Sequence, residues 1–259
     1  MLDSLHYALG ALSGALVGFS LGLVGGGGSI LAVPLMVYLV GVKSPHVAIG
    51  TSALAVALNA ALGLFNHARH HNVIWRCGIM YALAGVIGAY FGSSAGKAFD
   101  GQRLLFLFAI VMVIVGVLML RRRKNAGVEN AECDRTNAPK VLGYGLGTGA
   151  FSGFFGIGGG FLIVPGLVAS TNMAMINAVG TSLVAVTAFG LTTAVNYAFS
   201  GLVNWPLAAV FIAGGLAGSL LGTRLAKRLS GAGQLTSIFA GLIFVVALYM
   251  LWKSANAVF

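Results

Sequence analysis

The chain alternates long apolar runs with short polar breaks. Apolar runs fall at about 5–24, 29–42, 46–66, 74–96 and 103–120, then, after a polar stretch "RRRKNAGVENAECDRTNAPK" (121–140), at about 141–156, 158–170, 174–199, 204–224 and 234–252. Stretches such as Leu104 to Leu120 and Leu235 to Trp252 carry no charge over about the length that crosses a bilayer. The pattern predicts an all-α integral membrane protein with about ten membrane segments: 1–120 as a first repeat, 121–140 as a cytoplasmic basic linker and 141–259 as a second repeat. One such run could be a buried helix of a soluble core. Ten in succession leave too little polar sequence to cover them.

The two halves match in register. At an offset of 131, Pro165 answers Pro34, Gly159 answers Gly28, and Gly145, Gly149 and Gly153 answer Gly14, Gly18 and Gly22. At an offset of 130, "GTS" at 180–182 answers "GTS" at 50–52, Asn196 answers Asn66, Trp205 answers Trp75, and Gly215, Gly218 and Gly222 answer Gly85, Gly88 and Gly92. Apolar residues coincide easily by chance. Glycines and polar residues held in one register indicate a repeat. Basic loops face the cytoplasm, which places "RRRK" (121–124), 66–76 and 223–233 inside and the neutral 199–204 outside. Five crossings per half is an odd number, so the halves are expected to be inverted.

The second and seventh segments are short, follow glycine clusters and contain a proline: "GGGGSILAVP" (25–34) and "GIGGGFLIVP" (156–165). Short Gly/Pro-interrupted segments at matching positions are the best pointer to a transporter's substrate site. Backbone N–H groups freed at a half-helix N-terminus suit an anion. The expected substrate site is Gly25, Gly26, Gly27, Gly28, Ser29, Gly158, Gly159 and Gly160, with hydroxyls from Thr51, Ser52, Thr181 and Ser182. The bland alternative is that these glycines only let helices cross closely, as Gly10, Gly14, Gly18 and Gly22 are expected to do. Hydroxyls in membrane helices also often bond back to their own helix. Asn66 and Asn196, ~21 Å beyond the serines at 1.5 Å rise per residue, are expected at a surface or gate with His67 and Tyr197. Asn59, two turns beyond Ser52, is a secondary candidate whose counterpart is Phe189.

Composition narrows the chemistry. The chain is 58% hydrophobic and 8% charged, with a mean hydropathy of +0.96. Its net charge of +10 is carried at segment ends, as membrane anchoring requires, and does not point to nucleic acid. No Asp or Glu lies within a predicted segment, which argues against a cation substrate. No nucleophile–base pair stands out, and no catalytic residue or cofactor is expected. His67 and His71 have an i,i+4 spacing that could hold a metal, but no carboxylate accompanies them. A solvated interfacial stretch is the expected reading, and a His-based membrane metal protein the lesser alternative. Cys77 and Cys133 are far apart in sequence and lack metal spacing, so neither a disulfide nor a metal site is expected.

"GLVGGGGSILAVPLMVYLVG" with "AIGTSALA", repeated as "GFFGIGGGFLIVPGLVAS" with "AVGTSLVA", resembles the sulfite exporter TauE/SafE family, also called TSUP permeases. The resemblance covers nearly the whole chain. It implies a multi-pass permease of the bacterial inner membrane that moves sulfite, a sulfonate such as sulfoacetate, or a related sulfur anion. The second glycine cluster departs from the first, with Ile157 where the first has Gly26 and Gly160 where it has Ser29. An uncoupled anion channel using the same cradles is the alternative. The lipid bilayer is the expected surrounding, a homodimer is compatible with the pattern, and the oligomeric state stays open.

Overall fold

The computed structural model describes residues 4–121, 133–134, 136–156, 160–229, 241 and 244–253. Ten helical segments occur among them: α1 (Ser4–Val24), α2 (Gly25–Leu39), α3 (Pro45–Arg69), α4 (Trp75–Ala98), α5 (Gly101–Arg121), α6 (Ala138–Phe155), α7 (Gly160–Thr171), α8 (Met175–Phe199), α9 (Trp205–Leu229) and α10 (Phe244–Lys253). Five of them, α1, α3, α4, α8 and α9, are long and apolar enough to cross a membrane by themselves. The protein is an all-α, multi-pass membrane protein.

Helices α3 and α8 form the centre. In each, 67% of the most apolar window is buried, against 44% in α1 and α9. They run antiparallel: Gly50 faces Tyr197, Gly190 faces Ala57 and Gly63 faces Leu183. By contrast α1 and α9 run parallel. A Cβ at Gly14, Gly18 or Gly22 would overlap the backbone of Phe211, Gly215 or Ser219 in turn. In the same register, a Cβ at Gly145, Gly149 or Gly153 of α6 would meet Tyr81, Gly85 or Ala89 of α4. These are the same contacts at offsets of 131 and 130, and they exchange between the halves. Each half lends its first helix to the other half's fourth.

Helix α2 is not a regular helix. Residues Gly25–Leu31 form a tight 3-10 coil, Ala32–Pro34 one α turn, and Leu35–Leu39 a π turn. Pro34 has no N–H to donate, and the chain continues past it with Val40 N–H reaching back to the Leu35 carbonyl at 2.9 Å. The segment returns alongside α1, so that Gly41 lies against the His6 ring. The sharp reversal is made at Gly25, with φ +66°, and its counterpart Gly156 has φ +67°. Only glycine adopts this conformation without cost. Helix α7 differs from the expected break, because its 12 residues run continuously through Pro165. At 1.5 Å per residue it reaches about 18 Å, well short of a bilayer core.

The starts of α1, α3, α5 and α9 share one end of the bundle, where Pro45 meets Gly101 and Thr51 meets Asn204. At the other end lie the α3–α4 turn and the start of α6. Of the Lys and Arg among the described residues, only Lys43, Lys97, Arg103 and Lys253 lie at or toward the His6 end. Of the other described ones, Arg69, Arg76, Arg121, Lys140, Arg224, Lys227 and Arg228 fall at or toward the opposite end. There Asp134 starts α6 by accepting the N–H groups of Thr136 and Asn137. Hydrogen bonding by Thr136 and then Asn137 holds its carboxyl below the usual range.

One sequence expectation is overturned here. Cys77 and Cys133 are joined in a disulfide, with Cα atoms 5.4 Å apart across 56 residues of sequence. Helix α5 leaves α4 at one end and returns the chain to its start at the other, a proximity that linear spacing does not report.

If the parallel crossings depend on backbone contact, Gly18→Ala and Gly149→Ala should each lose well over the 1–3 kcal/mol typical of overpacking, because backbone must move. Gly143→Ala, with nothing within 4 Å of its added Cβ, should be neutral. The yield of monodisperse protein in mild detergent reads the difference.

Candidate functional site

The glycine segment is fully buried: Gly25 through Leu31 have no exposed residue among them. At its start the α2 backbone crosses the start of α7. A Cβ at Gly160 would overlap the Gly26 carbonyl, and one at Gly26 would sit 2.8 Å from the Gly160 Cα. Neither position tolerates a side chain, so the two backbones touch directly. Gly158 and Gly159 lie outside the described residues.

The Gly26 N–H, at this crossing, donates to Ser182 Oγ at 3.1 Å. Ser182 in turn donates to the Val179 carbonyl at 2.7 Å, and Ser29 donates to the Gly26 carbonyl at 2.9 Å. Ser52 donates to the Ile49 carbonyl at 3.1 Å, the counterpart of the Ser182 bond. Both serines thus hold their own helix in the manner usual for hydroxyls in membrane helices. Ser182 additionally accepts a buried backbone amide from the broken segment.

The two threonines have a different task. Thr51 Oγ1 accepts the Asn204 N–H at 2.9 Å, and Thr181 Oγ1 accepts the Ile74 N–H at 2.9 Å. Asn204 and Ile74 immediately precede α9 and α4, whose first N–H groups have no partner within the helix. Each half therefore caps a helix of the other. Gly50 and Gly180, one residue earlier, let the Leu202 and Asn72 carbonyls approach. The "GTS" triplets combine close approach, a cap for the opposite half and a serine turned to the centre.

Asn59 is fully buried and both atoms of its amide lack a hydrogen-bond partner among the described residues. Its side chain packs over Gly215, as the Phe189 ring packs over Gly85. The repeat is broken here, with an amide in one half and a ring in the other. An unpaired buried amide costs about 1–3 kcal/mol, and the hydroxyls of Ser13, Ser152, Thr193 and Tyr197 are likewise buried without a partner among the described residues.

The expected gate residues separate to opposite ends. Asn196 donates to Ser93 Oγ at 2.6 Å and Ser94 Oγ at 3.0 Å, and accepts from Lys97 Nζ at 2.9 Å. Lys97 also reaches the Asn196 carbonyl and Ser200 Oγ, which places its charge on the negative end of α8. The buried Tyr197 ring lies 6.4 Å from that of His46. At the other end Asn66 is half-buried and His67 buried. His71 lies beyond the end of α3 with φ +57° and is exposed, so the i,i+4 helical pairing with His67 does not form. Among the described residues no group of three or more His, Cys, Asp or Glu is gathered as a metal would need.

The family model for "Sulfite exporter TauE/SafE" matches residues 10–250. The chain belongs to the TauE/SafE family. It is 52% identical over 260 residues to a "Probable membrane transporter protein" of Xylella fastidiosa strain Temecula1, covering 98% of this chain and 97% of the relative. It is 26% identical to the "Probable membrane transporter protein YdhB" of Bacillus subtilis, over 89% of this chain and 96% of that one. A third relative, MJ0441 of Methanocaldococcus jannaschii, is 27% identical over 91% of this chain and 93% of the relative. No solved structure matches the chain. This TauE/SafE chain is a membrane transporter, and its broken α2 and short α7 meet at Gly26 and Gly160.

Thr51→Val and Thr181→Val should each lower the melting temperature in detergent, at about 1 kcal/mol per lost cap, while Thr51→Ser and Thr181→Ser keep it. Equal loss in the serine variants would mean that the methyl packing matters and the cap does not.

Proposed function

We propose that this chain is a secondary transporter that exports a small sulfur-containing anion, such as sulfite or an organosulfonate like sulfoacetate, across the bacterial inner membrane. The observation that carries the reading is the Gly26 N–H at the α2–α7 crossing, buried and held by a serine hydroxyl. An arriving oxyanion is a stronger acceptor than a neutral hydroxyl and takes this amide from Ser182. Gly25 to Ser29, Gly158 to Gly160, Ser52 and Ser182 then replace the anion's water. Asn59, unpaired in the closed state, turns its amide N–H to the same ligand. Thr51 and Thr181 hold the frame as the site opens.

The halves 1–120 and 141–259 act as inverted repeats. The antiparallel course of α3 and α8, which answer each other in sequence, supports this. The end rich in Lys and Arg faces the cytoplasm, with the 121–140 linker on that side. Rocking one half against the other parts the Gly26–Gly160 contact and exposes the cradle to alternate sides. That contact is closed here, which supports a carrier over an uncoupled channel. Membership of the sulfite exporter TauE/SafE family supports the sulfur anion and the direction of transport.

Flux into and out of proteoliposomes tests the reading, comparing sulfite, sulfoacetate, thiosulfate, sulfate and acetate with and without a pH gradient. Saturable flux of a sulfur anion is expected, and Ser182→Ala should alter its half-saturation concentration. Flux of acetate alone would overturn the substrate class, and flux that never saturates would overturn the carrier. Asn59→Leu, nearly isosteric, should leave the melting temperature unchanged or raised, since an unpaired buried amide is removed. It should cut transport at least tenfold. A fully active Asn59→Leu protein would take Asn59 out of the site.

A further inference from the structure

An open groove of about 650 Å³ lies between α5, α6 and α7. Its walls are Val111 and Ile114 from α5, Leu162 from α7, and one face of α6 running from Lys140 past Gly143 and Gly147 to Phe151. On its floor Thr148 donates to the Tyr144 carbonyl at 2.7 Å, and so accepts the Tyr81 hydroxyl proton at 2.8 Å. The polar atoms of the floor are thus satisfied, and what the groove offers is apolar surface. Among the described residues its one charged lining group is Lys140, exposed at the start of α6, at the end of the bundle that holds most of the described basic residues.

The repeat shows that this space is specific to the second half. At the offset of 131, Gly143 and Gly147 answer Leu12 and Leu16, and Lys140 answers Leu9. A Cβ at either glycine would meet nothing within 4 Å. These two glycines therefore do not serve close helix packing, unlike Gly145 and Gly149 on the adjacent face. They remove two leucine side chains from a helix surface and leave a slot with a cation at its mouth. A membrane presents to such a slot a molecule with an acyl chain and an anionic phosphate head. Basic pockets between membrane helices on the cytoplasmic side take the head groups of anionic lipids.

We propose that the groove is a binding site for one anionic phospholipid, with an acyl chain lying over Gly143 and Gly147 and the phosphate on Lys140. The lipid fills the wedge between α5 and α6 and becomes part of the wall behind α7. A second copy of the chain is a less suitable occupant. It would have to insert side chains of its own into a concave slot.

The test is lipid retention. Full-length protein purified in mild detergent is delipidated, offered synthetic phosphatidylglycerol or phosphatidylcholine, and examined by native mass spectrometry. One tightly held phosphatidylglycerol per chain is expected. Gly143→Leu/Gly147→Leu, which restores the residues of the first repeat, should abolish retention while melting temperature and elution volume are kept. Lys140→Gln should reduce the preference for phosphatidylglycerol about fivefold with the groove still able to take a chain. Unchanged retention in the folded double-leucine variant would overturn the site, as would equal retention of both lipids by the wild type. A dimeric mass that the double-leucine substitution converts to monomer would replace the lipid with a second copy.

Discussion

Lipid gives two apolar helices no reason to prefer each other, so this fold depends on contact between backbones where glycine removes the side chain. In α1–α9 and α4–α6 that contact recurs every four residues, with carbonyl oxygens occupying the space a Cβ would fill. The same means brings α2 against α7 at Gly26 and Gly160. The glycines that make the frame and those that make the cradle obey one physical rule. What distinguishes the second crossing is that the Gly26 N–H, at the start of the 3-10 segment, goes to a side chain, Ser182 Oγ.

That irregular backbone is possible at mid-depth only because protein surrounds it. Helices α3 and α8 supply the cover, and their serines and threonines supply the acceptors. Thr51 and Thr181 satisfy helix starts across the interface between the halves, so the halves are tied by polar bonds at both ends. Nearer the centre, among the described residues, the halves are joined by the Gly26–Ser182 and Tyr81–Thr148 hydrogen bonds.

The helical segments and the register between the halves were legible in the sequence, because glycine and polar matches persist where apolar residues blur. The short α2 and α7 were legible too, from their glycine clusters and prolines. The task of the "GTS" threonines was not. A threonine that reaches a ligand and one that caps a helix from the other half look alike in sequence, since the helix being capped lies more than a hundred residues away. Asn66, His67, Asn196 and Tyr197 lie toward the ends of α3 and α8, and the engagement of Asn196 by Lys97, Ser93 and Ser94 could not be read from spacing. Asn59 was visible only as a break in the repeat, and its lack of a partner is a property of what surrounds it.

The sulfur–sulfur bond between Cys77 and Cys133 has a bearing on topology. Such bonds persist in oxidising compartments and are kept reduced in the cytosol. This one lies at the end of the bundle proposed above to face the cytosol, where glutathione and thioredoxin act on whatever thiol pairs they reach. Both sulfurs are shielded, however, with Cys77 and Cys133 at 0% and 1% exposure. The redox state of this pair in growing cells is consequently a compass for the whole bundle: two free thiols point the basic end inward, and a lasting bond points it toward the periplasm or marks it as sealed from the cell's reductants.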